Sequence, residues 1–402
     1  MRLVRPEDLR ARRLEPEAYI PALKELLRKG ALELSVAVRG QEVVEGLEDY
    51  WSLRSLGCQL VPVTEGQRAR VNMSLESLGL YDDVTGSEAR VYGSVLELVR
   101  RDRPTPLVMI KRAGRVRLWA KLEWYNPLSL SIKDRTALSL VEGKLDDIMS
   151  RGKVYEASSS NTGVAVSALS RLFGFSARLY IPETAEQFGP DMIRAMGQEV
   201  VMRGPSTMEL RPLAREEAER DGAVLLNQFE SYYNPLAHIR WTAKELDLQS
   251  RFAGLRLKAV FATMGTAGHV AGLATYFRAR RPEVKIVGVQ PAEGSSIPGI
   301  RRHDQWPWPL LDAPAEVVDV SDEEAARIAL AIARETGLLP GLSGGASIAA
   351  ALRAAEGEAE EADYIVVVPD HGVKYLRLYS RYMGHRLVGL DAEGHPGRHK
   401  EP

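Results

Sequence analysis

"NPLSLSIKDR", residues 126–135, sets a loop of Asn, Pro and Ser directly before a lysine that opens a helix. The β-branched and apolar run "RLWAKLE" at 117–123 comes just before it, so the segment reads as strand, loop, helix. Lysine is a poor choice for a first helical turn, because the positive end of the helix dipole opposes its ammonium form. The neutral amine is favoured there, and a neutral amine is a nucleophile. Lys133 is therefore the first candidate for chemistry.

The same handover recurs along the chain. Further strands are expected at "KVYEAS", "SARLYIP", "EVVMRG", "AVLLNQ", "KAVFAT", "VKIVGVQ" and "YIVVVPD", with helices between them such as "NTGVAVSALSRLFG" and "GHVAGLATYFRARR". This alternation from about residue 105 is the signature of a wound parallel α/β sheet. The first hundred residues read differently. "PEAYIPALKELLRKG" and "SEARVYGSVLELVRR" look helical, with short strands at "LSVAVRG" and "QLVPVT", which suggests an added N-terminal α+β domain over 1–100. The end, "DAEGHPGRHKEP" at 391–402, reads as a tail.

At 402 residues and 45% hydrophobic content, the chain is long enough for a large core in two or more units. A net charge of -1, from 53 basic and 54 acidic side chains, gives no reason to expect nucleic acid or an anionic membrane as partner. Small molecules are the better expectation. There is no apolar run of spanning length, and "MRLVRPEDLRARRLEPEAY" is charged throughout, so a cytoplasmic protein without a signal peptide is expected. The single cysteine, Cys58, excludes an intrachain disulfide and is expected to be an unreactive, partly buried thiol. Only five asparagines occur, at 72, 126, 161, 227 and 234, which together with abundant Arg and Glu suggests a heat-adapted source.

Four segments put small, polar or glycine residues where a strand meets a helix, the place where wound sheets bind ligands. They are "NPLSLSIKDR", "SSSNTG" (158–163), "GTAGHVAG" (265–272) and "GLSGGAS" (341–347). Each has an ordinary reading: a solvated lysine beside Asp134, an N-cap, a close-packed glycine turn. "GTAGHVAG" could hold a phosphate on its amides. It is no dinucleotide fingerprint, since Ala267 stands where glycine would be needed. "GLSGG" matches the nucleophile elbow of serine hydrolases, with Asp370 and His371 as conceivable partners of Ser343. Neighbouring strand residues point to opposite faces, however, which makes that pair a poor relay.

In combination and order, these segments resemble the fold-type II pyridoxal-phosphate enzymes, most closely the cysteine synthase branch, over about residues 103–380. "RPTPLVMI" is similar to the family's N-T-P-L-V opening, with Pro104 in place of Asn. "NPLSLSIKDR" looks like its lysine segment with one extra residue, and "SSSNTG" like T-S-G-N-T-G. "NQFESYYNPLAHIRWTAKEL", "GTAGHVAG", "GLSGGASIAAAL" and "PDHGVKYL" continue the match. The resemblance implies two wound parallel-sheet subdomains in a catalytic domain over 101–390, a homodimer, and pyridoxal 5'-phosphate as cofactor, with no metal. It implies that Lys133 carries the cofactor as a Schiff base and then acts as the base at the substrate Cα. Asn161 would bond the ring hydroxyl. Gly265, Thr266, Ala267, Gly268 and His269 would cradle the phosphate, His269 standing where threonine is usual. Ser343 would meet the pyridine nitrogen as a neutral partner, which favours substrates with a good leaving group on Cβ and hence β-replacement. Ser158, Ser159, Thr162 and Gln228 would hold the substrate carboxylate. Ser160 departs from the family's glycine.

The loop "SSIPGIRR" at 295–302 carries Arg301 and Arg302 where cysteine synthases have an I-Q-G-I-G type sequence. Two guanidinium groups at a site mouth suit an anion. With the helical N-terminal extension, this loop resembles the archaeal O-phosphoserine sulfhydrylases. The expected reaction makes L-cysteine from O-phosphoserine, or O-acetylserine, and sulfide through an aminoacrylate, with Arg301 first in line for the phosphate. The alternatives are a cystathionine β-synthase, a serine or threonine dehydratase, a serine hydrolase using Ser343, and a binding protein without chemistry.

Overall fold

The computed structural model describes residues 1–85 and 90–383. The expected tail at 391–402 lies outside the described residues, as does the start of the helix expected from 87. That helix begins only at Val95, where Ser94 accepts a hydrogen bond from the Glu97 N–H as its cap. The stretch before it contains Pro-free but glycine-bearing "RVYG", and is not helical.

Two sheets, parallel but for one edge pair, build the chain from Leu107 onward. The larger has six strands in the order Glu316–Val320, Lys285–Pro291, Leu257–Thr263, Ala362–Val368, Val116–Leu122 and Leu107–Ala113. All neighbours are parallel except the last pair, where Leu107–Ala113 returns antiparallel along Val116–Leu122. The smaller sheet is fully parallel, in the order Glu199–Met202, Ser176–Ile181, Lys153–Ala157 and Val224–Leu225. Ala362–Val368 is buried at every position, as expected of a strand covered on both faces; it is apolar except for Asp363, which pairs with Arg117 at 2.7 Å. In these two sheets, two strands go unmarked in the sequence, Leu107–Ala113 and Glu316–Val320. Both are edges with half-exposed, mixed-polarity patterns, so neither shows a clean alternation.

Residues 1–85 add a four-stranded sheet, Arg2–Val4, Val61–Glu65, Val36–Arg39 and Glu42–Glu45, and a two-stranded ribbon, Ala31–Leu34 with Arg70–Ser74. The helix Pro16–Lys29 buries Tyr19, Ile20, Leu23 and Leu27 in one apolar core with Val270, Leu273, Tyr276 and Phe277 of the helix Gly268–Arg280. Lys244 reaches into this junction. Its buried ammonium donates to the carbonyls of Leu56 and Leu80, each at 2.6 Å, and pairs with Asp83. Cys58 sits in the same core, fully rather than partly buried, and burial pushes its thiol up to about 12, so it is unreactive.

Candidate active site

The helices Lys133–Gly143, Asn161–Phe173 and Gly268–Arg280 each follow a strand and begin at its carboxyl end, whereas Leu342–Glu356 follows the helix Asp322–Thr336 and not the strand expected before "GLSGGAS". It reaches the same edge because the Gly341 N–H donates to the Asp370 carbonyl at 2.9 Å, just past the end of Ala362–Val368. The first turns of all four enclose one cavity of about 210 Å³ between the sheets. Lys133, Ser159, Asn161, Thr162, Gln228, Gly265, Thr266, His269, Arg301 and Ser343 line it. Residues from 133 to 343 thus meet because wound sheets align the strand ends.

Lys133 is the first residue of its helix. Burial pushes its ammonium down to about 8, and the nearby Asp370 carboxylate works against that shift. Desolvation therefore outweighs the one opposing charge, and a large share of the amine is neutral near pH 8. The loop before it is held by Asp134, which accepts from the N–H groups of Leu128 at 2.7 Å and Ser129 at 2.8 Å. The Ile132 N–H also donates to the Pro369 carbonyl at 2.9 Å, which ties the lysine segment to the end of strand Ala362–Val368.

At the start of the helix Gly268–Arg280, glycine is required by close approach. A Cβ on Gly265 would fall 2.2 Å from the Gly299 carbonyl oxygen, and one on Gly268 would fall 2.5 Å from Asn234 Oδ1. Ala267 takes a left-handed φ of 58° to make the turn. Thr266 Oγ1 accepts from Asn234 Nδ2 at 2.8 Å and from the Gly268 N–H at 3.2 Å. His269 is 5% exposed, and its Nε2 is buried without a partner. Burial, and then the charge of Lys133, push its imidazole down to about 3, so it is neutral. Free helix amides beside glycines and an orphaned imidazole nitrogen form a donor set suited to a phosphate. Ala267 and Gly268 shape this turn from behind and are not on the cavity wall.

The segment 158–162 is placed less uniformly. Ser158 does not line the cavity; its Oγ accepts from the N–H groups of Ser160 and Gly163, each at 3.1 Å, and so caps the helix. Ser160 has a φ of 149°, a conformation that favours glycine, and glycine is what the resemblance expects there. Thr162 donates to Gln228 Oε1 at 2.8 Å, and Gln228 Nε2 donates to the Ala157 carbonyl at 2.9 Å. These two side chains brace each other, which leaves the second Gln228 N–H and Ser159 facing the cavity.

The two arginines of the loop separate. Arg302 is exposed and committed to Asp319 at 2.6 Å and to the Pro291 carbonyl at 2.8 Å. Arg301 lines the cavity, donates from Nε to the Gly265 carbonyl at 3.1 Å, and lies 5.6 Å from the ring centre of Phe229. Among the described residues no carboxylate pairs with it. Burial, and then Arg211, lower its pKa, the sign of a cation without a counter-charge.

Asp370, considered in the sequence only as a partner of Ser343 in a hydrolase, also lines the cavity, as do Phe229, Tyr375 and residues 206–208, which the sequence reading does not name. "PDHGVKYL" was the available signal for Asp370 and Tyr375. Phe229 and Ser206–Met208 come from a loop and a helix start whose position depends on the fold. The hydrolase reading finds no relay: His371 accepts from the Val373 N–H at 3.0 Å and packs edge-on against Trp124, away from the wall that holds Ser343.

Comparison with known proteins accords with this geometry. A family model described as pyridoxal-phosphate dependent enzyme matches residues 100–370. Cysteine synthase B of Escherichia coli (strain K12) is 35% identical over 287 residues, 68% of this chain and 91% of that protein. The crystal structure of an O-ureido-L-serine synthase superposes with a TM-score of 0.61 at 28% identity, covering 70% of this chain and 93% of that one. An O-acetylserine dependent cystathionine beta-synthase from Helicobacter pylori gives 0.61 at 27% identity, over 68% and 94% of the two chains. The chain belongs to the pyridoxal-phosphate dependent enzymes, on their cysteine synthase branch, and its cofactor is pyridoxal 5'-phosphate.

Proposed function

We propose that this protein makes L-cysteine by β-replacement, with O-phosphoserine as the preferred donor of the three-carbon unit and sulfide as the incoming nucleophile. When bound, pyridoxal phosphate supplies an electrophilic aldehyde for an amine and an electron sink conjugated to the substrate Cα. Every other part of the reaction falls to the chain itself. Lys133, as a neutral amine, would hold the cofactor aldehyde, and its Nζ would take the proton from the substrate Cα. Asn161 would hold the ring hydroxyl and Ser343 the pyridine nitrogen, both from the cavity wall. Gly265, Thr266 and His269 hold the phosphate of the cofactor from the helix start, with Ala267 and Gly268 shaping the turn. Ser159, the helix amides and Gln228 receive the substrate carboxylate. Residues 1–100 serve as a covering unit that supports the helix Gly268–Arg280 from outside.

The observation that carries the choice of substrate is Arg301, a half-buried guanidinium on the cavity wall with no carboxylate partner among the described residues. A charged hydrogen bond to a departing phosphate is worth about 1.5 to 3 kcal/mol. An acetate leaving group carries no charge before bond cleavage, so it gains less from the same cation. O-Acetylserine, named for the Helicobacter pylori relative, is the second reading.

The test follows the visible absorption band of the purified protein during titration with each donor. R301A is expected to weaken the response to O-phosphoserine about tenfold or more while sparing O-acetylserine. R302A, which loses only an exposed ion pair, is expected to change either response by less than about twofold. Equal loss on both donors in R301A rejects the phosphate assignment, and a response of the parent protein to O-acetylserine alone rejects the substrate.

A further inference from the structure

Lys374 is 5% exposed and lies under the cavity floor rather than on its wall. Its ammonium donates to Asn161 Oδ1 at 2.7 Å, to the Ser129 carbonyl at 2.7 Å and to the Leu130 carbonyl at 3.0 Å, with Asp370 Oδ2 at 3.7 Å. On the other side of the same amide, Asn161 Nδ2 donates to Asp370 Oδ2 at 2.8 Å. Tyr375 holds that carboxylate through a hydrogen bond of 2.6 Å. An ammonium can only donate and a carboxylate can only accept. An amide caught between them has one stable orientation, because a flip would set N–H against ammonium and C=O against carboxylate. That orientation leaves the second hydrogen of Nδ2 unclaimed among the described residues, on a residue that lines the cavity.

We propose that Lys374 is a positioning residue: with Asp370 it clamps the amide of Asn161 so that an N–H, and never the carbonyl, is presented to the ring hydroxyl of pyridoxal phosphate. The inference rests on the assignment of Asn161 to that hydroxyl. The same ammonium also donates to the carbonyls of Ser129 and Leu130, in the loop that leads to Lys133. Its cost is a buried cation, offset by three acceptors and the nearby carboxylate.

A simple structural brace for the loop 126–132 would make the same contacts, so the test is a double-mutant cycle in the full-length chain stripped of cofactor. The readouts are the dissociation constant for added pyridoxal phosphate, the visible maximum of the loaded protein, and the melting temperature of the stripped one. N161A and K374M are each expected to weaken cofactor binding about tenfold, and to move the visible maximum in the same direction. The double variant is expected to bind no more than about twofold more weakly than N161A. If the two losses instead multiply, Lys374 acts through the loop and the proposal is overturned. If K374M does not fold, D370A removes the acceptor at the other jaw and leaves the donations of Lys374 to Ser129 and Leu130 in place. It too is expected to weaken binding in the parent and to add nothing in N161A. If N161A itself leaves affinity and spectrum unchanged, the hydroxyl assignment fails and takes the inference with it.

Discussion

Lys133 and Arg135 are two residues apart on one helix and face opposite fates. Arg135 points into a closed ionic cluster: it pairs with Glu123 at 2.6 Å and donates to Glu245 at 2.8 Å, and Lys121 meets Glu245 at 2.6 Å, the Thr105 carbonyl at 2.7 Å and Gln249 at 2.8 Å. Arg135, Lys121, Glu123 and Glu245 are all fully buried. Lys133 points into the cavity, where it makes no ion pair among the described residues and loses affinity for its proton. Among the described residues, His269 with its orphaned nitrogen and Arg301 without a carboxylate share that open condition. Where a buried polar group is completed by protein, it holds the fold; where it is left incomplete beside a cavity, it waits for a ligand.

The sharpest way to break the comparison is K133A. It is expected to abolish covalent retention of cofactor, seen as loss of the visible band after gel filtration, while the melting temperature of the stripped protein stays near that of the parent. A large drop in stability would put Lys133 in the same class as Arg135. The reverse substitution, R135M, strands Glu123 and Glu245 without their guanidinium. It is expected to cost about 3–5 kcal/mol in denaturant unfolding, with loss of activity only as a consequence of unfolding.

A smaller effect tests the state of the amine. The ordinary lysine value is 10.5 and here it falls to about 8, so the neutral fraction should saturate within an accessible range. Uptake of pyridoxal phosphate by the stripped protein is expected to rise about tenfold from pH 7 to pH 9 and then level off. An amine at its ordinary value would keep rising through that range. The linkage has a matching sign: the folded state binds this proton more weakly than the unfolded chain, so Lys133 makes stability increase with pH between about 8 and 10.5. A rate that climbs without levelling would mean the cavity does not desolvate the amine.

The catalytic strands and the order of the four loops were legible because apolar periodicity and glycine placement are local properties of the chain. The edge strands Leu107–Ala113 and Glu316–Val320 were not, since each is half exposed and its pairing partner sets its conformation. The low affinity of Lys133 for its proton was foreseen from the helix dipole, but burial is the larger cause, and burial is not a property of ten residues. Ser158 reads as a ligand residue by its motif, whereas its hydroxyl is spent on two helix amides. Asp370 stood within a quoted motif, yet its reach to Asn161, 209 positions away, comes from the meeting of two sheets.

The sequence by itself determined the wound α/β class, the lysine that opens a helix, the glycine-rich turn for an anion and the pair of arginines at 301 and 302. These follow from residue type and short-range spacing. Only the tertiary structure decided which arginine faces the cavity, which serine caps a helix instead of a substrate, and which buried charges are satisfied. Each of those depends on distances between segments far apart in the chain, because hydrogen bonding and desolvation act across space.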